Sequence, residues 1–285
     1  MSESVHEPLI SVIMATYIGD RLEHLQEAVE SILTQTYQHL ELLVVVNGPV
    51  SREAEEFLAS ICERDLRVRL SRIETNCGPA LARNHAITEA SGEFFAILDA
   101  DDFAEPTRLA KQLALITETS SDLVGACYFV MDANGTITGT KHVPLTHAGI
   151  VRTVCVVNPI CNSTVFAHAS VFREHAYPRS EYQGVTFGED YALWVELLLS
   201  GKRLANHAEP LIRFRSTVDF LRKRGGMVMF VTDARTRLRA TRLHGWLTRP
   251  VWACLAMVCT LSRLMPRPLL RFAYALRARF RFDAG

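Results

Sequence analysis

The sequence predicts an α/β protein built on a doubly wound, mostly parallel sheet, with a small antiparallel part and a helical C-terminal tail. Three observations predict it. Short apolar runs without polar alternation recur through the first hundred residues. Each run is followed by a segment of helical period. Acidic, asparagine- or glycine-containing turns stand where the runs end. Strands that read as continuous hydrophobic runs are covered on both faces, as in a parallel sheet flanked by helices.

Leu9–Ala15 is a β-branched-rich run of strand length, and Leu22, Leu25, Val29, Ile32 and Leu33 then recur at helical spacing through 21–35. Residues 40–46 (LELLVVV) form a second apolar strand, 52–63 a helix, and 68–71 a weaker strand. Pro79 stands at a first helical position and its helix closes before Gly92; Glu93–Leu98 is the fourth strand. After a helix over 107–119 the pattern changes. Residues 123–131 and 136–141 flank Asp132–Gly135, a hairpin turn. Segment 142–188 is irregular and turn-rich, 189–199 is helical, and 203–215 supplies one or two short strands. Ligands of such sheets bind beyond the carboxyl ends of the strands. Thr16-Tyr17, Asn47-Gly48, Asn76–Gly78 and Asp99–Asp102 are therefore expected to converge.

The 285 residues are 48% hydrophobic, ample for a buried core, and hold no low-complexity run and no internal repeat. Seven cysteines with no C-x-x-C pair fit reduced, mostly buried thiols better than a disulfide framework or a zinc site. Residues 1–8 lack a basic n-region, so the expected compartment is a reducing cytosol. The net charge of zero conceals an asymmetry. Eleven arginines and no acidic residue lie between Arg235 and Arg281, whereas residues 1–234 carry a net −10. The chain divides accordingly into a main domain over 1–220, with halves 1–120 and 121–220, and a basic extension over 221–285.

The strongest chemical signal is FFAILDADD, Phe94–Asp102: an apolar strand delivers three carboxylates to the ligand edge of the sheet. Carboxylates so close repel each other unless solvated or joined by a hard cation such as Mg²⁺ or Mn²⁺. The plain alternative is an acidic turn before the next helix. Glu189-Asp190 opens a helix, where acidic charge also has a purely structural use. The ten histidines are scattered and form no metal set. Phosphate-loop, nucleophile-elbow and dinucleotide glycine motifs are absent.

SVIMATY (11–17), SILTQTY (31–37) with ELLVVVNGP (41–49), NCGPALARN (76–84), LDADD (98–102) and GEDYALW (188–194) together resemble the ordered motif series of family 2 glycosyltransferases with the GT-A (nucleotide-diphospho-sugar transferase) fold. The series covers roughly residues 9–215. The resemblance implies inverting transfer of a sugar from a nucleoside-diphosphate donor to an acceptor hydroxyl, assisted by a divalent cation, Mn or Mg. It implies Asp101 as direct metal ligand, Asp99 at the metal shell or donor ribose, and Asp190 as catalytic base. Asp102 extends the acidic loop. Thr16 and Tyr17 line the base pocket, Arg83 is a donor-site residue, and Arg215 contacts the diphosphate. Two positions depart from the family pattern. Asn47 stands where an aspartate reads the nucleobase, and Thr217 where a histidine follows the late arginine. Trp194 reads as core rather than as a sugar platform.

In the tail, 227–243 is an amphipathic helix carrying Arg235, Arg237, Arg239 and Arg242, and 251–261 is apolar but too short to cross a bilayer. Apolar faces rimmed by arginine suit peripheral contact of 245–285 with the anionic inner face of the cytoplasmic membrane. The competing expectation is packing on the main domain or a homodimer. Nucleic acid is not expected, since the acidic body opposes it. The acceptor expected from this tail is a lipid-linked or surface glycan. A sugar-nucleotide nucleotidyltransferase would want a glycine-rich loop after the first strand, and Thr16–Asp20 does not provide one. A non-catalytic nucleotide-sugar-binding scaffold is the remaining rival.

Overall fold

The computed structural model describes residues 7–178, 188–216, 227–261 and 264. In chain order the first half comprises β1 (Ile10–Thr16), α1 (Leu22–Leu33), β2 (Leu40–Asn47), α2 (Arg52–Arg64), β3 (Val68–Ile73), α3 (Pro79–Glu89), β4 (Phe94–Ile97), β5 (Phe103–Ala104) and α4 (Arg108–Thr119). There follow β6 (Leu123–Met131), β7 (Ile137–Lys141), α5 (His147–Thr153), a 3-10 turn (Asn162–Thr164), β8 (Phe166–His168), α6 (Ala169–Glu174), α7 (Glu189–Leu199) and β9 (Leu204–Arg215). Helices α8 (Met227–Ala240) and α9 (Arg249–Leu261) close the described chain.

Strands β3-β2-β1-β4 are parallel, and Ile10 of β1 lies opposite both Leu40 and Phe94. Side chains alternate across a strand, so β1 serves two cores. Val12 and Met14 join Leu25, Val29 and Ile32 of α1 and Leu58 of α2, while Ile13 joins Ala82 and Ala86 of α3. Every residue of β2 is buried, which explains its unbroken apolar run. Ser51 accepts a hydrogen bond from the Ala54 amide to start α2, and Pro79 opens α3. The strand order reverses beside β1, so the crevice there is a switch point.

Beyond β4 the sheet turns mixed. β8 runs antiparallel to both β4 and β6, β6 pairs parallel with β9 and antiparallel with β7, and β5 pairs antiparallel with β9. Two elements here differ from expectation. Segment 142–188 contains β8, a three-residue strand that joins the two halves of the sheet; it is too short to show any period. Over 203–215, where one or two short strands are expected, Leu204–Arg215 forms a single twelve-residue strand, with register shifts at Cys127, opposite Pro210.

Helices α8 and α9 contribute Ala240 and Ala256 to the core that holds Trp194. Arg237, expected on a basic outer rim, is internal. It pairs with Asp233 one turn earlier at 2.8 Å, donates to the Cys155 carbonyl at 3.0 Å and lies 5.4 Å from the Tyr191 ring centroid. No described helix is long and apolar enough to cross a membrane. Thr217 and residues 265–285 lie outside the described residues.

Candidate active site

The acidic loop leaves β4 and is caught at once by β5, whose two residues pair with Ile212 and Arg213 of β9. Within the loop the Asp102 amide donates to the Asp99 carbonyl at 3.1 Å. Asp102 itself is buried, and its Oδ1 accepts from the Arg215 amide at 2.7 Å. Burial, then the charges of Asp101 and Asp99, hold its carboxyl well above the ordinary range, so it serves the loop as a buried acid.

Arg215 is buried against the acidic loop. It donates to the Asp101 carbonyl at 2.8 Å, to the Ala133 carbonyl at 3.2 Å and to Glu27 at 2.5 Å. The pairing of β5 with the end of β9 brings it there. Arg215 therefore braces the acidic loop.

Asp99 accepts two bonds on Oδ1, from Arg83 at 2.7 Å and from Asn162 at 3.2 Å, and its amide donates to the Ser163 hydroxyl at 3.3 Å. Among the described residues the Asp101 side chain makes no such pair. Burial, then Asp99 and Asp20, push its carboxyl up to about 7. A buried carboxyl held up by neighbouring acidic charge fits a place beside a hard divalent cation, whose charge would favour its ionised form. Among the described residues no cluster of three or more His, Cys, Asp or Glu side chains could hold a metal by itself. Mg²⁺-type sites take one or two carboxylates and leave the remaining positions to water and substrate phosphates.

On the other wall, Gly188 at φ +90 turns the chain into α7, so Glu189 and Asp190 occupy its first turn. Glu189 accepts from Arg83 at 3.1 Å, and burial pushes its carboxyl up to about 7 against the opposing charge of Arg83. One buried guanidinium thus spans Asp99 and Glu189. Burial would lower its pKa, but Asp99 and Glu189 outweigh this and raise it. The acidic loop and the residue next to Asp190 are consequently joined through one side chain. Asp190 accepts from the Asn158 amide group at 2.9 Å.

Asn158, Asn162 and Tyr177 were not singled out by sequence. The Tyr177 hydroxyl donates to Asn162 at 2.9 Å, and its ring centroid lies 5.4 Å from the Arg83 guanidinium. The only available signal was the polar run N-P-I-C-N-S over 158–163, which has no periodicity.

The nucleotide side is built differently. Thr16 is buried at the end of β1, whereas Tyr17 is 38% exposed at the crevice, its amide bonded to Asp20 at 3.0 Å. Asn47 is buried and its amide group is engaged by the neighbouring loop. Its oxygen accepts from the Cys77 amide at 3.0 Å, and its nitrogen donates to Asn76 at 3.2 Å and to the Gly78 carbonyl at 3.4 Å. Gly48, at φ +82, lets that loop approach: a Cβ there would meet the Asn76 amide nitrogen at 2.8 Å.

The model for glycosyl transferase family 2 matches residues 11–175. An uncharacterized glycosyltransferase of Haemophilus influenzae is 30% identical over 224 residues, covering 73% of this chain and 65% of that protein. The amylovoran biosynthesis glycosyltransferase AmsE of Erwinia amylovora is 27% identical over 271 residues, covering 93% of this chain and 98% of AmsE. The chain spans less than two thirds of the length of several relatives, including 47% of one from Methanocaldococcus jannaschii. Among solved structures, S. aureus TarS 1–349 superposes with a TM-score of 0.59 at 20% identity, over 94% of this chain and 88% of that one. The Pyrobaculum calidifontis mannosyltransferase PcManGT, solved with GDP-Man and Mn²⁺, gives 0.56 at 16% identity, over 97% and 82%. These structures share the GT-A-type fold, and the sequence match carries the relationship: this chain belongs to glycosyl transferase family 2.

Proposed function

We propose that the chain transfers a glycosyl group from a nucleoside-diphosphate sugar to a hydroxyl of a growing glycan, with inversion at the anomeric carbon and a divalent cation at Asp101 and Asp99. The observation that carries this reading is the Arg83 bridge, which brings Asp99 and the Glu189-Asp190 pair to one crevice. Asp190 is the base. An acceptor hydroxyl is a weak nucleophile, so a carboxylate within hydrogen-bond reach takes its proton as the oxygen attacks. The new O–C1 bond forms as the bond from C1 to the diphosphate oxygen breaks, and the electron pair leaves with the nucleoside diphosphate. Asn158 fixes one oxygen of Asp190 and leaves the other for the proton. When bound, the cation offsets charge developing on the leaving diphosphate. Arg83 adds a second, fixed positive charge on the donor side.

TarS has been solved with UDP and with UDP-GlcNAc, and PcManGT with GDP-Man, which supports a nucleotide-sugar donor for this chain. The part of AmsE in amylovoran biosynthesis supports a polysaccharide acceptor, and the basic, apolar tail supports one that is lipid-linked on the cytoplasmic side of a membrane. Asn47 and Arg215 enter the reading as braces of the donor site, and Tyr17 as its exposed aromatic wall.

Two variants test it. Asp190→Asn is expected to bind donor normally while turnover falls about a thousandfold. Asp101→Ala is expected to lose the Mn²⁺-dependent rise in melting temperature that donor binding produces in a panel of nucleoside-diphosphate sugars. Undiminished turnover by Asp190→Asn overturns the assignment of the base.

A further inference from the structure

We propose that the outer face of α9 docks on an anionic membrane surface. The helix has two unlike faces. Ala256 and Thr260 are fully buried, and Trp252 packs on the core and stacks on His244 with ring centroids 4.3 Å apart. The other face presents Val251, Leu255, Val258 and Leu261 at helical spacing, all exposed. Trp246 and Leu247, just before the helix, extend the patch, and Trp246 is 81% exposed. Scattered exposed apolar residues need no explanation, but a continuous stripe of this length marks a surface that is covered in use.

Charge selects what covers it. Arg242 and Arg249 are exposed beside the stripe. From Arg235 to Arg281 the sequence carries eleven arginines and no acidic residue, and of these Arg237 is internal and Arg239 pairs with Glu196. A second copy of the chain, meeting this face through a two-fold axis, would set arginine against arginine. An anionic leaflet complements the same charges while accepting the apolar side chains. A tryptophan beside the stripe suits the headgroup level. At thirteen residues α9 is too short to span a bilayer, so it lies along the surface.

The rest of the fold fixes that surface relative to the chemistry. α9 packs with α8, and Arg237 of α8 sits over Tyr191, the residue after Asp190. The membrane-facing stripe and the base are therefore parts of one packed unit. A lipid-linked acceptor held at the bilayer would be presented to the α7 side of the crevice. Only this last step rests on the glycosyl-transfer reading; docking itself requires no reaction.

The test is flotation of the full chain with vesicles of phosphatidylcholine alone and of phosphatidylcholine with phosphatidylglycerol at about 2:1. The expected result is binding to the anionic vesicles, weakened by salt. The triple variant Val251→Ser, Leu255→Ser, Val258→Ser is expected to lower that binding at least about tenfold with the melting temperature unchanged. Arg242→Ser and Arg249→Ser, which need not disturb packing, are each expected to lower it about fivefold on anionic vesicles only. No binding to either vesicle overturns the proposal, and so does equal, salt-insensitive binding to both. It is also overturned if the chain is a dimer that the triple variant converts to monomer, since the stripe is then an interface between copies. Loss of turnover in Asp190→Asn has no bearing on these outcomes, so the two readings fail separately.

Discussion

On the proposed reading, a donor half and an acceptor half hold their functional residues by different means. In the donor half, four parallel strands separated by helices bring Thr16, Asn47 and the start of the acidic loop to one sheet edge, where Arg83 and Arg215 hold the loop. In the acceptor half, Asp190 is placed by side chains that come from distant segments. Asn158 reaches it from the loop after α5, and Glu189 beside it is tied to Arg83 of α3 across more than a hundred residues of chain. The lesson is that the first half can tolerate change at many surface positions, while the second depends on a few buried polar contacts.

Arg83 joins the two halves, so its removal should give the largest effect. Arg83→Met leaves Glu189 buried without its partner and frees Asp99. Hydrogen bonds to charged groups are each worth about 1.5–3 kcal/mol, and two are lost. Steady-state assays are expected to show kcat/KM lower by about a hundredfold or more, with Arg83→Lys recovering only part of it. If Arg83→Met behaves like the native chain, the halves are not coupled as described.

Asn158→Ala isolates the acceptor side. Loss of one bond to a carboxylate predicts a kcat lower by about ten- to a hundredfold with donor affinity unchanged. An unchanged kcat would mean that Asn158 only packs.

The third prediction concerns the metal-free protein. Asp101 and Glu189 are pushed up to about 7 in the fold, well above an unfolded carboxylate near about 4. Between those values the folded state binds more protons than the unfolded state, so stability falls as pH rises. Melting temperature is expected to decline from about pH 4 towards about pH 7, and Asp101→Asn is expected to flatten the slope. Mn²⁺ affinity runs the other way, growing as Asp101 loses its proton. Calorimetry without donor reads both.

Arg52→Ala is expected to do least. Arg52 and Glu56 pair at 2.7 Å on the outside of α2, both largely exposed, and such pairs contribute about 0–1 kcal/mol. A shift larger than that in denaturant unfolding would show that the donor half is less tolerant than its architecture implies.

The contrast between halves also governs what could be read in advance. Strands β1, β2 and β4 and helices α1 to α4 announce themselves through local period, because each buries its own apolar face against a sequence neighbour. The acidic loop was legible for the same reason: it follows a strand that has a clear pattern. β8 was not, since three residues carry no period and its partners are non-adjacent. For Arg215 the resemblance implies a diphosphate contact; its bonds to the Asp101 carbonyl and to Glu27 join segments far apart in sequence and are visible only in the fold. Arg237 looked like surface charge until Asp233 and the Cys155 carbonyl were seen to enclose it.

By itself, then, the sequence determined the α/β class, the parallel half of the sheet, the acidic loop at its edge and the ordered motifs of a family 2 glycosyltransferase. Period, turn residues and strand-end position are local properties, and local properties are written in order along the chain. Only the tertiary structure decided that one arginine bridges the acidic loop to α7, and that an asparagine grips Asp190. It also decided which tail residues face the core and which face outward. Those facts depend on directions in space between segments far apart in sequence, and burial decides whether a charge is a brace, a ligand or a surface ornament.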